Sequence, residues 1–155
     1  MIIASTLQKS FGPQTLFDDV SFLINKGERI GLVGKNGTGK STLFKMIMGE
    51  EKQDSGTLST PKGYKIGALD QHIHFTQPTV IDECIEALPA EKQWDHYKAE
   101  IILSGLGFSE QDFQKDPSTF SGGFQVRINL CKALLADPNM LLLDEPTNYL
   151  DILSL

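Results

Sequence analysis

A glycine-rich segment at residues 34–41 constrains this 155-residue chain more than any of its other features. The segment reads Gly-Lys-Asn-Gly-Thr-Gly-Lys-Ser, which fits the pattern Gly-x-x-x-x-Gly-Lys-[Ser/Thr] at every required position. An apolar run at 29–33, expected to be a buried strand, precedes it, and apolar residues at helical spacing follow it. Glycines let backbone N–H groups turn toward a phosphate, and the helix that follows presents its positive end there. The segment therefore predicts a phosphate loop, in which Lys40 reaches phosphate oxygens and Ser41 ligates Mg²⁺, rather than a plain turn that binds nothing.

A pair of acidic residues forms a second candidate site. Asp144 and Glu145 come directly after the apolar run 140–143, which is typical of a strand covered by helices on both faces. Taken alone, such a pair is most often the solvated end of a strand. With a phosphate loop upstream, it becomes a candidate site where Asp144 holds Mg²⁺ through water and Glu145 polarises the attacking water as a general base.

A Ser-Gly-Gly turn precedes an amphipathic helix that carries Val126 and Leu130. Ser121 fits the N-cap position of that helix. The two glycines that follow leave backbone N–H groups accessible to a phosphate. Spacing alone leaves capping and phosphate contact both open.

The composition indicates a folded, acidic chain. Hydrophobic residues make up 40% and charged residues 22%, which excludes wholesale disorder. The formal net charge of −6 argues against a general polyanion binder, but it is unevenly spread. Residues 1–65 hold 9 basic and 6 acidic side chains, whereas residues 66–155 hold 5 and 14. The positive part is where a phosphate ligand is expected.

The two cysteines, Cys84 and Cys131, lie 47 positions apart and form no Cys-x-x-Cys pair. We therefore expect neither a zinc site nor a disulfide, but free thiols buried in a reducing compartment. No apolar run approaches the roughly 18–20 residues that a membrane span needs. The first residues also lack the pattern of a signal peptide. These observations predict a soluble, cytoplasmic chain.

The pattern along the chain predicts an α/β fold. Short strands are expected at 2–7, 19–24, 29–33, 65–69 and 140–143, and helices from 40 to 48, 80 to 88, 94 to 106 and around 126–134. The predicted organisation has three parts. Residues 1–75 form antiparallel strands and the phosphate loop, 76–120 form a helical subdomain, and 121–155 form the last helix, the strand and the acidic end.

Together these residues resemble the ATP-binding cassette (ABC) superfamily over almost the whole chain. The phosphate loop, Gln71 after a strand, the Ser-Gly-Gly signature and the acidic pair appear in the family's order. The resemblance implies a P-loop NTPase fold, with a RecA-like core and a small helical subdomain. It also implies ATP and Mg²⁺ as cofactors, and a second cassette as partner in a head-to-tail sandwich around two ATP molecules.

The resemblance also implies a role for each site residue. The Ser-Gly-Gly signature would contact the γ-phosphate held by the other cassette, and Gln71 would touch Mg²⁺ and the attacking water. Phe11 would stack on adenine, although a plain core role for this ring stays open. The predicted nucleotide-binding residues are Phe11, Gly34, Asn36, Gly37, Thr38, Gly39, Lys40, Ser41, Thr42, Ser121, Gly122 and Gly123; the predicted catalytic residues are Glu145 and Gln71; the predicted metal ligands are Ser41, Gln71 and Asp144.

Three segments narrow the resemblance to the ABC-F subfamily, cytosolic tandem-cassette ATPases that act on ribosomes. Residues 145–151 are similar to the subfamily's Glu-Pro-Thr-Asn-His-Leu-Asp, with Tyr149 in place of the histidine. Residues 120–127 are similar to its Phe-Ser-Gly-Gly-Trp-Arg-Met-Arg, with Phe124 and Gln125 in place of Trp-Arg. Residues 103–109 resemble the stretch before the signature in the first cassette.

Two features of the family lie outside this sequence. The histidines, His72, His74 and His96, all precede Glu145, so none of them can be the family's switch histidine. We therefore expect the chain to be a piece of a longer two-cassette protein, truncated after the D-loop, with an unprotected sheet edge. The 49 residues between Gln71 and Ser121 leave room for only a short helical arm.

The sequence thus predicts the first cassette of an ABC-F ATPase that hydrolyses ATP at a cassette interface and acts on the ribosome. The alternative is the ATP-binding subunit of an ABC membrane transporter. For the isolated 155 residues we expect ATP binding with little or no turnover.

Overall fold

The computed structural model describes residues 1–69, 73–92 and 94–144. The chain divides into two compact units, Met1–Tyr64 and Lys65–Leu155. The three-part division at residues 75 and 120 stays a prediction.

The first unit contains a three-stranded antiparallel sheet. Its strands are β1 (Ile2–Phe11), β2 (Gln14–Ile24) and β3 (Ser55–Ser59), in the order β2-β1-β3. Both β1 and β2 are longer than the sequence predicted. Gly12, with φ of 56°, and Pro13 form a tight hairpin turn, so the ladder continues to the pair Phe11–Gln14.

Helix α1 (Lys40–Met48) follows the phosphate loop, as predicted. Gly49 ends it with φ of 80°, and its N–H donates to the carbonyls of Lys45 and Met46. Met46 packs with Ala4 and Leu7 of β1 in a small core, which fixes the helix on the sheet.

The predicted strand at 29–33 is wrong. Ile30 is 59% exposed and Val33 is 95% exposed, and none of the described strands pairs with this segment. A strand that is apolar on both faces is stable only between hydrogen-bonded neighbours, because otherwise its backbone groups are left without a ladder. The apolar run alone could not show whether such neighbours are in place.

The second unit combines a parallel strand pair with three helices. Strands β4 (Ile66–Ala68) and β5 (Met140–Leu142) pair in parallel, in agreement with the two predicted strands. The helices are α2 (Val80–Ile85), α3 (His96–Gly105) and α4 (Gly122–Leu135). Short 3₁₀ turns lie at Ala90–Lys92, Glu110–Asp112 and Pro117–Thr119. Helix α2 ends three residues earlier than predicted, and α3 begins two residues later, since the segment around Pro89 forms turns instead.

The three helices enclose the main core of this unit. Its fully buried members include Val80, Cys84, Ala99, Leu103, Ile128 and Cys131. The two thiols are both buried, as predicted, and they meet in this core despite their distance in sequence. A hydrogen bond with Cys131, together with burial, raises the pKa of the Cys84 thiol. Within the described part of the chain, no helix is long and apolar enough to cross a membrane.

Candidate functional site

The phosphate loop at 34–41 is curled by hydrogen bonds to its own carbonyl groups. The Lys40 ammonium donates to the carbonyl oxygens of Gly34 at 2.8 Å and Lys35 at 3.0 Å. The Thr38 hydroxyl donates to the Lys35 oxygen at 2.8 Å. The ammonium therefore lies at the start of the loop, held by neutral oxygens that it can exchange for phosphate oxygens.

Two glycines allow the loop to close this tightly. A Cβ at Gly34 would lie 2.7 Å from the Thr38 hydroxyl oxygen. Gly39 has φ of 98°, and a Cβ there would lie 2.9 Å from the Phe17 ring. Glycine at these two positions therefore lets the loop pack closely against its own Thr38 side chain and against the Phe17 ring of β2.

The start of α1 adds an electrostatic contribution. Gly39 occupies the N-cap position and, having no side chain, offers no side-chain acceptor to the first N–H groups of the helix. The first turn, which begins at Lys40, carries no carboxylate in the sequence. The positive end of the helix dipole is therefore not neutralised by an acid from its own first turn, which favours an anion at this place.

The tip of the β1–β2 hairpin lies beside the loop. The Gln14 side-chain amide donates to the Gly37 carbonyl at 3.4 Å. Phe11, paired with Gln14 across the turn, is 49% exposed, so it is not part of the apolar core. An exposed aromatic ring thus stands at the end of the hairpin that touches the phosphate loop.

In the second unit, Ser121 occupies the N-cap position of α4, but its hydroxyl makes no capping hydrogen bond within the described residues. The turn is held instead by Gln125, whose side-chain amide donates to the carbonyls of Phe120 at 2.9 Å and Ser118 at 3.2 Å. Ser121 and Gly122 are exposed. The side-chain capping interpretation of Ser121 is therefore not supported, and its hydroxyl remains available to a ligand.

Sequence reasoning missed the residues that support this turn. Phe108, Phe120 and Phe124 form an aromatic cluster with ring centroids 5.1–5.9 Å apart, in which Phe108 meets the other two rings edge-on. Arg127 lies 4.8 Å from the Phe124 centroid and donates to the Leu106 carbonyl at 3.1 Å. The available signal was the i, i+3 spacing of Phe124 and Arg127, which places both on one face of α4.

The other predicted site residues lie partly in the first unit and partly in the second. The structure brings Phe11 and the loop residues 34–42 together in the first unit, and it places 121–123 and Asp144 in the second. Asp144 follows β5 and is partly buried. Gln71 and Glu145 lie outside the described residues.

A glycine-rich loop before a helix, a strand followed by an acid, and a Ser-Gly-Gly turn at a helix start are typical of nucleotide-binding α/β domains. The family profile described as ABC transporter matches residues 17–148. The chain therefore belongs to the ABC transporter family, whose cassettes bind and hydrolyse ATP, and the predicted superfamily and P-loop fold are confirmed.

The curated relatives point to the subfamily. The chain is 41% identical to the energy-dependent translational throttle protein EttA of Escherichia coli K12, covering 96% of this chain and 27% of the relative. It is 32% identical to the probable ATP-binding protein YheS of the same strain, covering 98% of this chain and 29% of the relative. The chain thus spans less than a third of the length of these proteins, and the similarity to EttA agrees with the predicted ABC-F resemblance.

Solved structures show the same fold. The dimeric ABC transporter cassette MJ0796 matches with a TM-score of 0.77 at 23% identity, over 99% of this chain and 78% of that one. The cbiO1 cassette of Clostridium perfringens matches with a TM-score of 0.79 at 24% identity, over 99% of this chain and 68% of that one.

Proposed function

We propose that this chain is the first cassette of an ABC-F-type ATPase, which binds and hydrolyses ATP at an interface with a second cassette and acts on the ribosome. The observation that carries the proposal is the curled loop at 34–41, with the Lys40 ammonium held by exchangeable carbonyls at the start of α1. The similarity to a translational throttle protein supports the ribosome as the partner in this proposal.

In this proposal Lys40 leaves its two carbonyl partners and pairs with β- and γ-phosphate oxygens, while the loop N–H groups donate to the same phosphates. Ser41 and Asp144 would hold Mg²⁺, which neutralises charge on the phosphate oxygens when bound. Phe11 stacks on the base. The ammonium, the backbone cradle and the helix dipole all act on the phosphates, so binding is dominated by that end of the nucleotide.

Hydrolysis in this proposal needs both cassettes. Ser121, Gly122 and Gly123 present a hydroxyl and backbone N–H groups to the γ-phosphate held by the partner cassette. Glu145 accepts a proton from the attacking water, and Gln71 orients that water. The isolated chain therefore binds ATP but turns it over little.

The alternative function is the ATP-binding subunit of an ABC membrane transporter. The two solved cassettes described above come from transporters and share the fold of this chain, so the fold is compatible with this alternative. The curated relative with 41% identity is a translational protein, which favours the ribosome.

Co-sedimentation with ribosomes tests the two functions directly. The protein that carries this chain, with Glu145→Gln, is expected to bind ATP, remain in the closed state and pellet with ribosomes in ATP but not in ADP. The matched control is the double variant Glu145→Gln, Lys40→Ala, which is expected to stay in the supernatant. A Glu145→Gln protein that binds ATP and does not pellet would contradict the ribosomal function and favour the transporter. Unimpaired steady-state turnover by the same variant would remove Glu145 from its role.

A further inference from the structure

The ammonium group of Lys9 is buried under the hairpin that carries Phe11. Lys9 is 7% exposed, and its ammonium donates to Glu51 Oε1 at 2.7 Å, the Lys52 carbonyl at 2.7 Å and Asp54 Oδ1 at 3.4 Å. A buried ammonium is stable only when its donors are satisfied, and these three acceptors match its three hydrogens. The side chain is thus held in one place by the segment that follows α1.

The same ammonium lies over the ring of Phe11, 4.8 Å from its centroid. The two residues are two positions apart on β1, so their side chains leave the strand on the same side. A cation within about 6 Å of an aromatic centroid is attracted by the electrons of the ring. The ring therefore has a fixed charge against one face, while 49% of the residue stays exposed.

We propose that Lys9 is a positioning residue for the base of the bound nucleotide: its ammonium holds the Phe11 ring from one face so that the exposed face receives a purine. This inference rests on the proposed ATP-binding function. The ion pairs with Glu51 and Asp54 hold the ammonium in place, and its contact with the ring restrains the orientation in which the other face can stack on a purine. Lys9 thus restrains a half-exposed ring beside a hairpin turn.

The groups around Lys9 keep its side chain protonated at neutral pH. The hydrogen bond with Glu51 raises the pKa of Lys9 more than burial lowers it, and the nearby Asp54 carboxylate raises it further. Asp54 is itself anchored, because its Oδ2 accepts a hydrogen bond from the Ser10 N–H at 2.7 Å. The acids thus preserve the charge and fix its position.

The test compares two probes that share phosphates and differ in the base. Mg–ATP and inorganic tripolyphosphate are titrated calorimetrically into the wild-type chain, Lys9→Met and Lys62→Met. Lys62 is exposed in the same unit, so its replacement matches the loss of charge. Lys9→Met is expected to weaken ATP binding by about three- to tenfold and tripolyphosphate binding by less than about twofold, with Lys62→Met changing neither.

Unchanged ATP binding by Lys9→Met would overturn the inference, and so would an equal loss for ATP and tripolyphosphate. A wild-type chain that binds neither probe would overturn the proposed function itself, and the inference with it. In a Phe11→Leu background, Lys9→Met is expected to have no further effect on ATP, and an undiminished effect there would also contradict the inference.

A second variant keeps the test decisive if Lys9→Met does not fold. Glu51→Gln leaves the ammonium in the chain but weakens its 2.7 Å anchor. It is expected to reduce ATP binding by about two- to threefold with tripolyphosphate binding unchanged. ATP binding at the wild-type level in this variant would argue against a role for the fixed ammonium.

Discussion

Gly39 joins three features of the nucleotide site in a single residue. It belongs to the phosphate loop, occupies the N-cap position of α1 and faces β2, where a Cβ would lie 2.9 Å from the Phe17 ring and 3.4 Å from Leu16 Cβ. Its φ of 98° is a conformation that residues with a side chain rarely adopt. The loop can therefore lie directly against the sheet only with glycine here.

We expect Gly39→Ala to lower the free energy of unfolding by about 1–3 kcal/mol and to weaken ATP binding, because both the backbone and Phe17 must shift. Urea unfolding and an ATP titration measure the two effects. The control is Gly105→Ala in α3, where a Cβ meets nothing within 4 Å. That substitution is expected to be neutral or slightly stabilising. Equal stability of the two variants would show that the close approach at Gly39 is not strained.

Gln125 illustrates how a departure from a family motif can carry a structural role. It stands where the resemblance expects arginine, and its amide binds two carbonyls of the turn before Ser121. Phe124, in place of tryptophan, fills the aromatic cluster and receives Arg127 on its ring. The two replacements together keep the turn closed and leave Ser121 exposed.

At the scale of elements, the second unit is held by a buried acid. Glu83 of α2 is 0% exposed and accepts hydrogen bonds from the N–H groups of Thr76 at 2.9 Å and Gln77 at 2.8 Å, and from the Lys132 ammonium of α4. One side chain thus ties two helices to the segment that precedes α2. Burial raises the pKa of Glu83, but these hydrogen bonds outweigh it and hold the pKa below its usual value.

The lowered pKa gives a stability that depends on pH. Because the folded pKa lies below the unfolded value of about 4.3, the carboxylate stabilises the fold above that value. The stabilisation is lost as the pH falls through the folded pKa. We expect Glu83→Gln to lower the free energy of unfolding at pH 7 by about 1–3 kcal/mol, and the difference from wild type to shrink below about pH 4.

Chemical unfolding at a series of pH values measures this difference. Glu100→Gln, at an exposed position of α3, is the matched control and is expected to follow wild type. A Glu83→Gln difference that stays constant from pH 7 to pH 3 would contradict the role of the ionised carboxylate.

Helices and strands that are determined by their own residues could be predicted from the sequence. Helix α1 lies between two glycines and follows its apolar spacing, and β4 and β5 follow their apolar runs. The segment 29–33 failed because a strand depends on its neighbours rather than on its own residues. The contact between the free thiols of Cys84 and Cys131 could not be predicted for the same reason, and neither could the burial of Glu83. Both depend on how α2 packs against α4.

The candidate site shows the same division. The loop at 34–41 could be predicted because the motif requires a glycine, a cation or a hydroxyl at fixed positions within eight consecutive residues. Lys9 could not, because its role comes from acceptors more than 40 positions away that fix it against Phe11. Gln125 carried a usable signal, since it lies one helical turn after Ser121.

At the scale of the whole molecule, the charge distribution supports the proposed phosphate site in the first unit. Residues 1–65 carry a net positive charge within a chain of net charge −6, and they contain the loop. The match to ABC cassettes extends over 99% of the chain. The proposed function therefore depends on binding of the triphosphate by the loop at 34–41 through Lys40.

Calorimetric titration of Mg–ATP into the wild-type chain, Lys40→Ala and Lys45→Ala tests that claim most directly. Lys45 is exposed in the last turn of the same helix. Lys45→Ala therefore removes the same positive charge from the same helix as Lys40→Ala does. We predict that Lys40→Ala raises the Kd by about 10- to 100-fold, the effect of losing charge-assisted hydrogen bonds, and that Lys45→Ala leaves it within about twofold. A Kd for Lys40→Ala equal to that of the wild type would contradict the account.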